Sequence, residues 1–399
     1  MTVGKLVVTI ALAVATGAAN TACTGTPAHA AGTRDTLYIG VAAARTSTAY
    51  FRGVQLAIDR LNAERPRGTP PFGLRMPPQM QPTQVGVAAT FRDDPSVIGV
   101  VGHTGSAQML EAAPVYGDVA RGGRQAVVAV TPTATNPEVT RVSSWVFRIC
   151  PTDDDAARAL AKFAADSLGA RRVAVIYRND LFGRGFTKTI TPELDHSHIV
   201  ITERDPYLAQ ITEYQAYATR IARSGVDAVI FAGSGLDAAD MVRALHQASA
   251  HPAILGTDDV GNILDGVKQT VPNVTVAGRD HRQRVAPVPT DDRGLFNGVR
   301  YTSFYDPTHP TDGEGKQFLT EFTRRFGQPP TSQAALSYDA AMLIGRAALA
   351  VGANRGLIRD WVASLGTTAA PMRGITGEIH FDGHGDVVGK SVVIATVKP

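Results

Sequence analysis

The sequence predicts an α/β protein of two doubly wound parallel-sheet lobes, and three observations carry that expectation. Short β-branched runs alternate with amphipathic segments from Leu37 onward, and a β-α-β-α order requires crossover connections and a mostly parallel sheet. The strand segments are apolar almost throughout, as they are when helices cover both faces of a sheet. At 399 residues the chain has material for about two domains of roughly 100–200 residues each. Two similar alternating runs, 37–145 and 150–265, fill most of it.

In chain order, Leu37–Ala42 reads as a strand and Ala49–Leu61 as a helix with Val54, Ile58 and Leu61 on one face. Val97–Val101 and Ala126–Val130 read as strands on either side of the helix Gln108–Val119. The second run begins with the helix Ala156–Leu168, the strand Val173–Tyr177 and the helix Phe182–Leu194. It goes on through the strands Ile199–Thr202, Val226–Phe231 and Ala253–Leu255, with helices Glu213–Arg223 and Ala238–Ser249 between them. Two stretches break the rhythm. Arg65–Pro82 is rich in Pro and Gly and reads as an irregular loop, while Arg279–Asp292 is polar and reads as a surface connection. Helices Gly315–Phe326 and Ala334–Val351 follow, then Gly374–Phe381 and Ser391–Val397 as a closing hairpin around Asp382–Asp386.

The first residues read as an export leader. Lys5 supplies the positive region and Leu6–Ala15 an apolar run too short to span a bilayer. Two processing sites compete. Asn20-Thr21-Ala22-Cys23 is similar to a lipobox, with Cys23 as the lipid attachment site, and Ala28-His29-Ala30 fits ordinary cleavage. The protein is therefore expected outside the cytoplasm, as a cell-surface lipoprotein or a secreted or periplasmic protein, touching membrane only through such an anchor. No later stretch reads as a membrane helix. Net charge is +3 with both signs intermixed, so no nucleic-acid partner is expected. With two cysteines no disulfide framework is possible, and Cys150 reads as a buried core thiol.

Catalytic signatures are missing: there is no G-x-S-x-G elbow, no H-E-x-x-H pair and no C-x-x-C. Asp382, His384 and Asp386 fit a tight hairpin turn better than a metal site. Asp153-Asp154-Asp155 fits a helix start, where carboxylates meet the positive dipole end. No enzyme activity, cofactor or metal is expected.

Three segments just past strands have the character of ligand sites. Gly102-His103-Thr104-Gly105-Ser106 opens a helix, and the free N–H groups there suit an anion; a plain capped helix start fits the same residues. Thr131–Pro137 is held non-helical by Pro132 and Pro137, leaving carbonyls and hydroxyls for a cleft, although a Pro-rich surface turn would look alike. Gly256-Thr257-Asp258-Asp259 offers acids to a ligand ammonium or, equally, a helix cap.

Taken together, these segments resemble the type I periplasmic binding proteins, specifically the branched-chain amino-acid (Leu/Ile/Val) substrate-binding family of ABC transporters. The resemblance runs from about Leu37 to the end. It is strongest from Gly102–Ser106 through Ala113-Pro114, Thr131–Pro137, Val146-Phe147-Arg148 and Pro151-Thr152-Asp153 to Val173–Tyr177 and Leu181-Phe182-Gly183-Arg184-Gly185. It implies a type I periplasmic-binding-protein fold, with three crossovers near Phe147–Arg148, Val276–Gly278 and Met372–Ile375. The parts would be a leader and linker at 1–30, a first lobe of 36–147 plus 279–372, and a second of 148–278 plus 373–399. It also implies capture of an amino acid or related small polar ligand in an interlobe cleft and its delivery to an ABC permease. A receptor of the same fold serving a membrane sensor, or a degenerate module that binds nothing, would share the sequence.

By position, Ser106 matches the residue that holds the ligand carboxylate. Thr133 or Ala134 matches the carbonyl that meets its ammonium, Thr135 the hydroxyl beside it, and Asp258 the acid, with Asp259 its neighbour. Phe182 stands where the family often has Tyr. The chain departs from the family at Arg45–Tyr50, where the first loop is short, and at Gly233-Ser234-Gly235, where the family often has Tyr. The side-chain half of the pocket is thus altered.

Overall fold

The computed structural model describes residues 36–77, 79, 83–209, 213–266, 292–310 and 313–398. The expected leader, Cys23 and the expected crossing at Val276–Gly278 lie outside them.

The first lobe is built from β1 (Leu37–Ala42), α1 (Thr48–Glu64), β2 (Phe72–Arg75), α2 (Gln84–Asp93), β3 (Val97–Gly102), α3 (Ser106–Tyr116), β4 (Ala129–Thr131) and β5 (Val146–Arg148). The second takes α4 (Asp153–Asp166), β6 (Arg172–Arg178), α5 (Leu181–His196), β7 (Val200–Tyr207), α6 (Gln215–Ser224), β8 (Ala228–Ala232), α7 (Gly235–Gln247), β9 (Ala253–Gly256) and β10 (Arg300–Ser303). The chain then supplies α8 (Gly313–Phe326), α9 (Ser332–Val351) and α10 (Arg355–Ser364) to the first lobe. It closes with β11 (Met372–Gly374), β12 (Gly377–Ile379) and β13 (Val393–Thr396).

The first sheet is parallel throughout in the order β2-β1-β3-β4-β5. The second runs β13-β10-β9-β8-β6-β7 and is parallel except where β13 lies antiparallel to β10. Leaving β13 aside, each lobe places its second strand outside its first and builds the rest on the other side. Each therefore reverses direction once, between β1 and β3 and between β6 and β8, which is where open α/β sheets leave a crevice for ligands.

Alternation along the strands divides the core. In β6, Val173 and Val175 join the cluster under α4 and α5, while Ala174 and Ile176 join the one under α6 and α7. In the first lobe Ile39 and Val41 pack with α1 and α9, while Phe91, Met109 and Tyr116 from α2 and α3 pack on the other face. This two-sided cover is why the strands read as unbroken apolar runs.

Three expectations are corrected. Phe72–Arg75, inside the Pro-rich stretch, is a strand pairing Leu37↔Phe72 onward, because the prolines flank the four residues that bond. The expected closing hairpin does not form between its two halves. β11 turns directly into β12, and β13 pairs instead with β10. That same strand, Arg300–Ser303, lies in the second sheet beside β9, whereas 279–372 is expected wholly in the first lobe. The chain passes back to the first lobe only after Ser303.

Ser332–Val351 is also long and apolar enough to cross a membrane, against the expectation that no later stretch is. It is α9, the buried central helix of the first lobe, packed on α1. At the contact with α1, a Cβ on Gly53 would sit 2.1 Å from the Ala334 carbonyl oxygen. Replacing Gly53 by Ala gains about 1 kcal/mol of helix propensity, but the obstacle is backbone. We expect a net loss of about 1–3 kcal/mol, read as a lower denaturant midpoint in chemical unfolding.

Candidate functional site

Between the lobes lies a cleft of about 560 Å³, within the size of small-molecule sites. Its walls come from the carboxyl ends of strands in both sheets. The first lobe supplies Thr46–Tyr50 after β1, Thr104–Ser106 after β3 and Thr133 after β4, with Gln328–Gln333 from the α8–α9 connection. The second supplies Arg178 and Phe182 at the end of β6, Gly233 after β8, and Asp258, Asp259 and Asn262 after β9.

The first-lobe wall is rigid. β3 ends at Gly102 with φ 121°, a conformation that L side chains rarely adopt, and a Cβ there would meet the Ala42 carbonyl oxygen at 2.5 Å. The next residue, His103, is buried between two partners, Nδ1 at 2.8 Å from Gln84 Oε1 and Nε2 at 2.8 Å from the Tyr116 hydroxyl. Burial pushes its pKa down to about 3, so it is a neutral structural pin. The α3 N-terminus then opens onto the cleft. Its cap residue, Gly105, has no side chain to satisfy the first-turn N–H groups, which leaves them for an anion.

Thr133 Oγ1 donates to the Thr104 carbonyl at 2.8 Å and lies 3.1 Å from the Tyr50 hydroxyl. A hydroxyl has one proton, so with that proton on Thr104 the Tyr50 O–H donates to Thr133. Burial raises the Tyr50 pKa well above its ordinary value, which keeps that donor protonated.

The second-lobe wall carries charge. Asp258 is half-buried, and burial, reinforced by the Asp259 carboxylate and then Asp153, pushes its pKa up to about 8. Asp259 accepts from Asn262 Nδ2 at 2.8 Å. Behind the wall Asp153 is 1% exposed, one of its carboxylate oxygens has no hydrogen-bond partner, and burial raises it to about 7.

Of the residues expected from sequence, Ser106, Thr133, Phe182 and Asp258 come together in this cleft, with Asp259 beside them. Two do not line it. The Ala134 carbonyl points to the Arg148 guanidinium at 3.2 Å, and the Thr135 carbonyl accepts from the Asp153 amide at 2.9 Å, so both lie behind the wall. Ser106 Oγ accepts from the Asn136 amide at 3.3 Å. The aspartates at 153–155 do cap a helix: Thr152 and Asp155 form a reciprocal capping box at the start of α4. Asp153 itself turns inward. Tyr50, named in the sequence only as the end of the short first loop, and Arg178, which sequence reasoning passes over, also line the cleft. Each follows a central strand of its sheet, and the strand-end rule that found the other segments applies equally there.

Two doubly wound lobes facing each other across a polar cleft define a class of hinged ligand receptors. The chain belongs to the periplasmic binding protein family, whose model matches residues 38–398. It is 32% identical over 149 residues to an "Amino acid binding protein" from Pseudomonas aeruginosa, covering 37% of this chain and 38% of that protein. The aligned part is thus well under half of that relative's length. Among solved structures it is similar to a leucine binding protein from Thermotoga maritima, with a TM-score of 0.74, 23% identity and coverage of 91% of this chain and 95% of the other. It is also similar to a branched-chain amino acid transporter substrate binding protein from Streptococcus pneumoniae in complex with isoleucine, with a TM-score of 0.75, 20% identity and coverage of 91% and 100%. The fold is that of the type I periplasmic binding proteins.

Because the folded-state pKa values of Asp258 and Asp153 lie above the unfolded value, the unfolded chain binds fewer protons than the native one between about pH 4 and 8. Stability of the ligand-free protein should therefore fall as pH rises through that window. Asp258→Asn should flatten the fall; an unchanged slope of melting temperature against pH would remove Asp258 as its source.

Proposed function

We propose that this protein captures a small zwitterionic, amino-acid-like ligand on the outer side of a membrane and delivers it to an ABC importer. The observation that carries this reading is that one cleft holds an uncapped helix N-terminus with Ser106 on one lobe and the Asp258–Asp259 pair on the other. An α-carboxylate suits the first and an α-ammonium the second. Neither lobe alone offers both, so a ligand that satisfies both draws them together, which is the hinge closure of two-domain receptors. The family and the amino-acid names of its relatives support the ligand class, and the leader-like first residues support export.

Ammonium binding requires Asp258 to ionise. Affinity for a zwitterion is expected to rise as pH climbs toward about 8 and to lose that dependence in Asp258→Ala.

A thermal-shift panel of the common amino acids tests the ligand class. At a concentration about 100-fold above Kd, binding adds about 2.7 kcal/mol of stability, and a panel with no shift would sink the proposal. Charge-assisted hydrogen bonds contribute about 1.5–3 kcal/mol. Asp258→Ala should therefore weaken the best ligand about 10- to 100-fold in titration calorimetry. Ser106→Ala should weaken ligands that carry a carboxylate more than those that lack one. Equal losses would remove the anion site from the α3 N-terminus.

A further inference from the structure

The cleft lining mixes polar and apolar groups and carries a cation. Besides Tyr50, its apolar side chains among the described residues are Ala49, Phe182, Leu264 and Pro329; much of the remaining lining is Thr, Ser, Gln and Asn. Into this surface the second lobe projects Arg178, the last residue of β6, at the reversal point of its sheet.

Arg178 is held by one edge. Its Nε donates to Asp180 Oδ2 at 2.5 Å, and the other oxygen of that carboxylate accepts from the Gly183 amide at 2.9 Å, capping α5. The Phe182 ring lies 5.9 Å from the guanidinium carbon. Among the described residues no hydrogen bond engages Nη1 or Nη2. Burial works against the charge, but Asp180 outweighs it, and the group holds its proton more firmly than usual. The result is a pre-oriented guanidinium with both terminal NH2 groups left over, a geometry matched to carboxylate.

Its neighbour across the sheet is Gly233. A Cβ there would fall 1.8 Å from the Tyr207 hydroxyl, and that hydroxyl is committed to Asp237 at 3.3 Å. Position 233 therefore puts no side chain between Arg178, at the end of β6, and Asp259, after β9. These are two strand spacings apart, about 10 Å at the backbone, a gap that the long Arg178 side chain and a ligand of a few carbons fill together.

We propose that Arg178 is a specificity-determining residue of the cleft and that the ligand bears a second anionic group beyond its α-carboxylate, as an acidic amino acid does. This rests on the amino-acid reading above: the ammonium on Asp258 and Asp259, the α-carboxylate at Ser106, the distal carboxylate on Arg178. A branched aliphatic side chain would leave the guanidinium donors desolvated and unpaired on closure, which disfavours leucine.

Calorimetric titration of the full mature chain with L-glutamate, L-leucine and glutarate at pH 7 tests it, alongside Arg178→Met and Arg178→Lys. The expected result is that L-glutamate binds at least tenfold tighter than L-leucine. The glutamate-to-leucine affinity ratio should drop at least tenfold in Arg178→Met and recover in part in Arg178→Lys. Leucine binding tighter than glutamate, or an unchanged ratio in Arg178→Met, overturns the assignment while leaving the amino-acid reading intact. Glutarate binding without L-glutamate, lost in Arg178→Met, keeps Arg178 as an anion site and discards the amino-acid reading. Binding of none of the three overturns the assignment of Arg178, while the amino-acid reading stands or falls on the full thermal-shift panel.

Discussion

The guanidinium of Arg148 joins the parts of the molecule that must hold still. It is fully buried at the end of β5, where the chain leaves the first lobe. Nη1 donates to the carbonyls of Ala134 and Asn136, fixing the Pro-bounded loop behind the cleft wall, and Nη2 pairs with Asp386 at 2.5 Å. The Asp386 carboxylate also accepts from Thr140, and the backbone of Arg148 bonds to Gly385 and Val387. One side chain thus ties the ligand loop to the turn 382–386, on the last return of the chain. A buried cation needs a compensating charge, which Asp386 supplies, although Nε of Arg148 is buried without a hydrogen-bond partner. Losing one partner leaves the other charge uncompensated at a cost of about 3–5 kcal/mol, so the loop, the turn and the crossover stand or fall together.

Against that fixed frame, the cleft concentrates groups whose charge is not settled until a ligand arrives. Burial raises the pKa of both Asp258 and Asp153, with Asp259 adding to the first and Asp154 to the second, while Arg178 keeps its charge. The empty cleft thereby avoids stacking several bare carboxylates in one place. On the proposed reading, a ligand ammonium would supply what Asp258 needs to ionise, linking proton release to ligand capture.

Much of this was legible in the sequence because it depends on local rules. Apolar runs bounded by turn residues located most of the strands, and the glycine-rich and proline-bounded segments after β3 and β4 marked two parts of the cleft wall. What escaped depends on partners far away in the chain. Phe72–Arg75 is a strand only because β1 lies beside it. Arg300–Ser303 is placed by pairing with β9 and β13 across a long polar insertion. The Ala134 carbonyl is claimed by Arg148, and Thr135 gives its carbonyl to the Asp153 amide and its hydroxyl to the Asp153 carboxylate, choices no short window of sequence displays. Asp382, His384 and Asp386, read in sequence as a tight turn, do form one: Asp382 accepts from the amides of His384 and Asp386, while the partnership of Asp386 with the distant Arg148 was not legible.

The central helix α9 has a consequence for how such a chain reaches its destination. An exported protein crosses the membrane unfolded, and a translocating channel meets Ser332–Val351 before any lobe exists to bury it. By length and apolarity the segment qualifies for lateral release into lipid. Asp339 and Arg346 lie within it, and each charged residue near the middle of a span opposes insertion by about 2.5–3.5 kcal/mol. In the folded protein Asp339 accepts from the amides of Ile375 and Thr376, and Arg346 pairs with Glu314. The same two charges that lock the helix to its neighbours in the folded protein therefore also oppose its insertion into lipid.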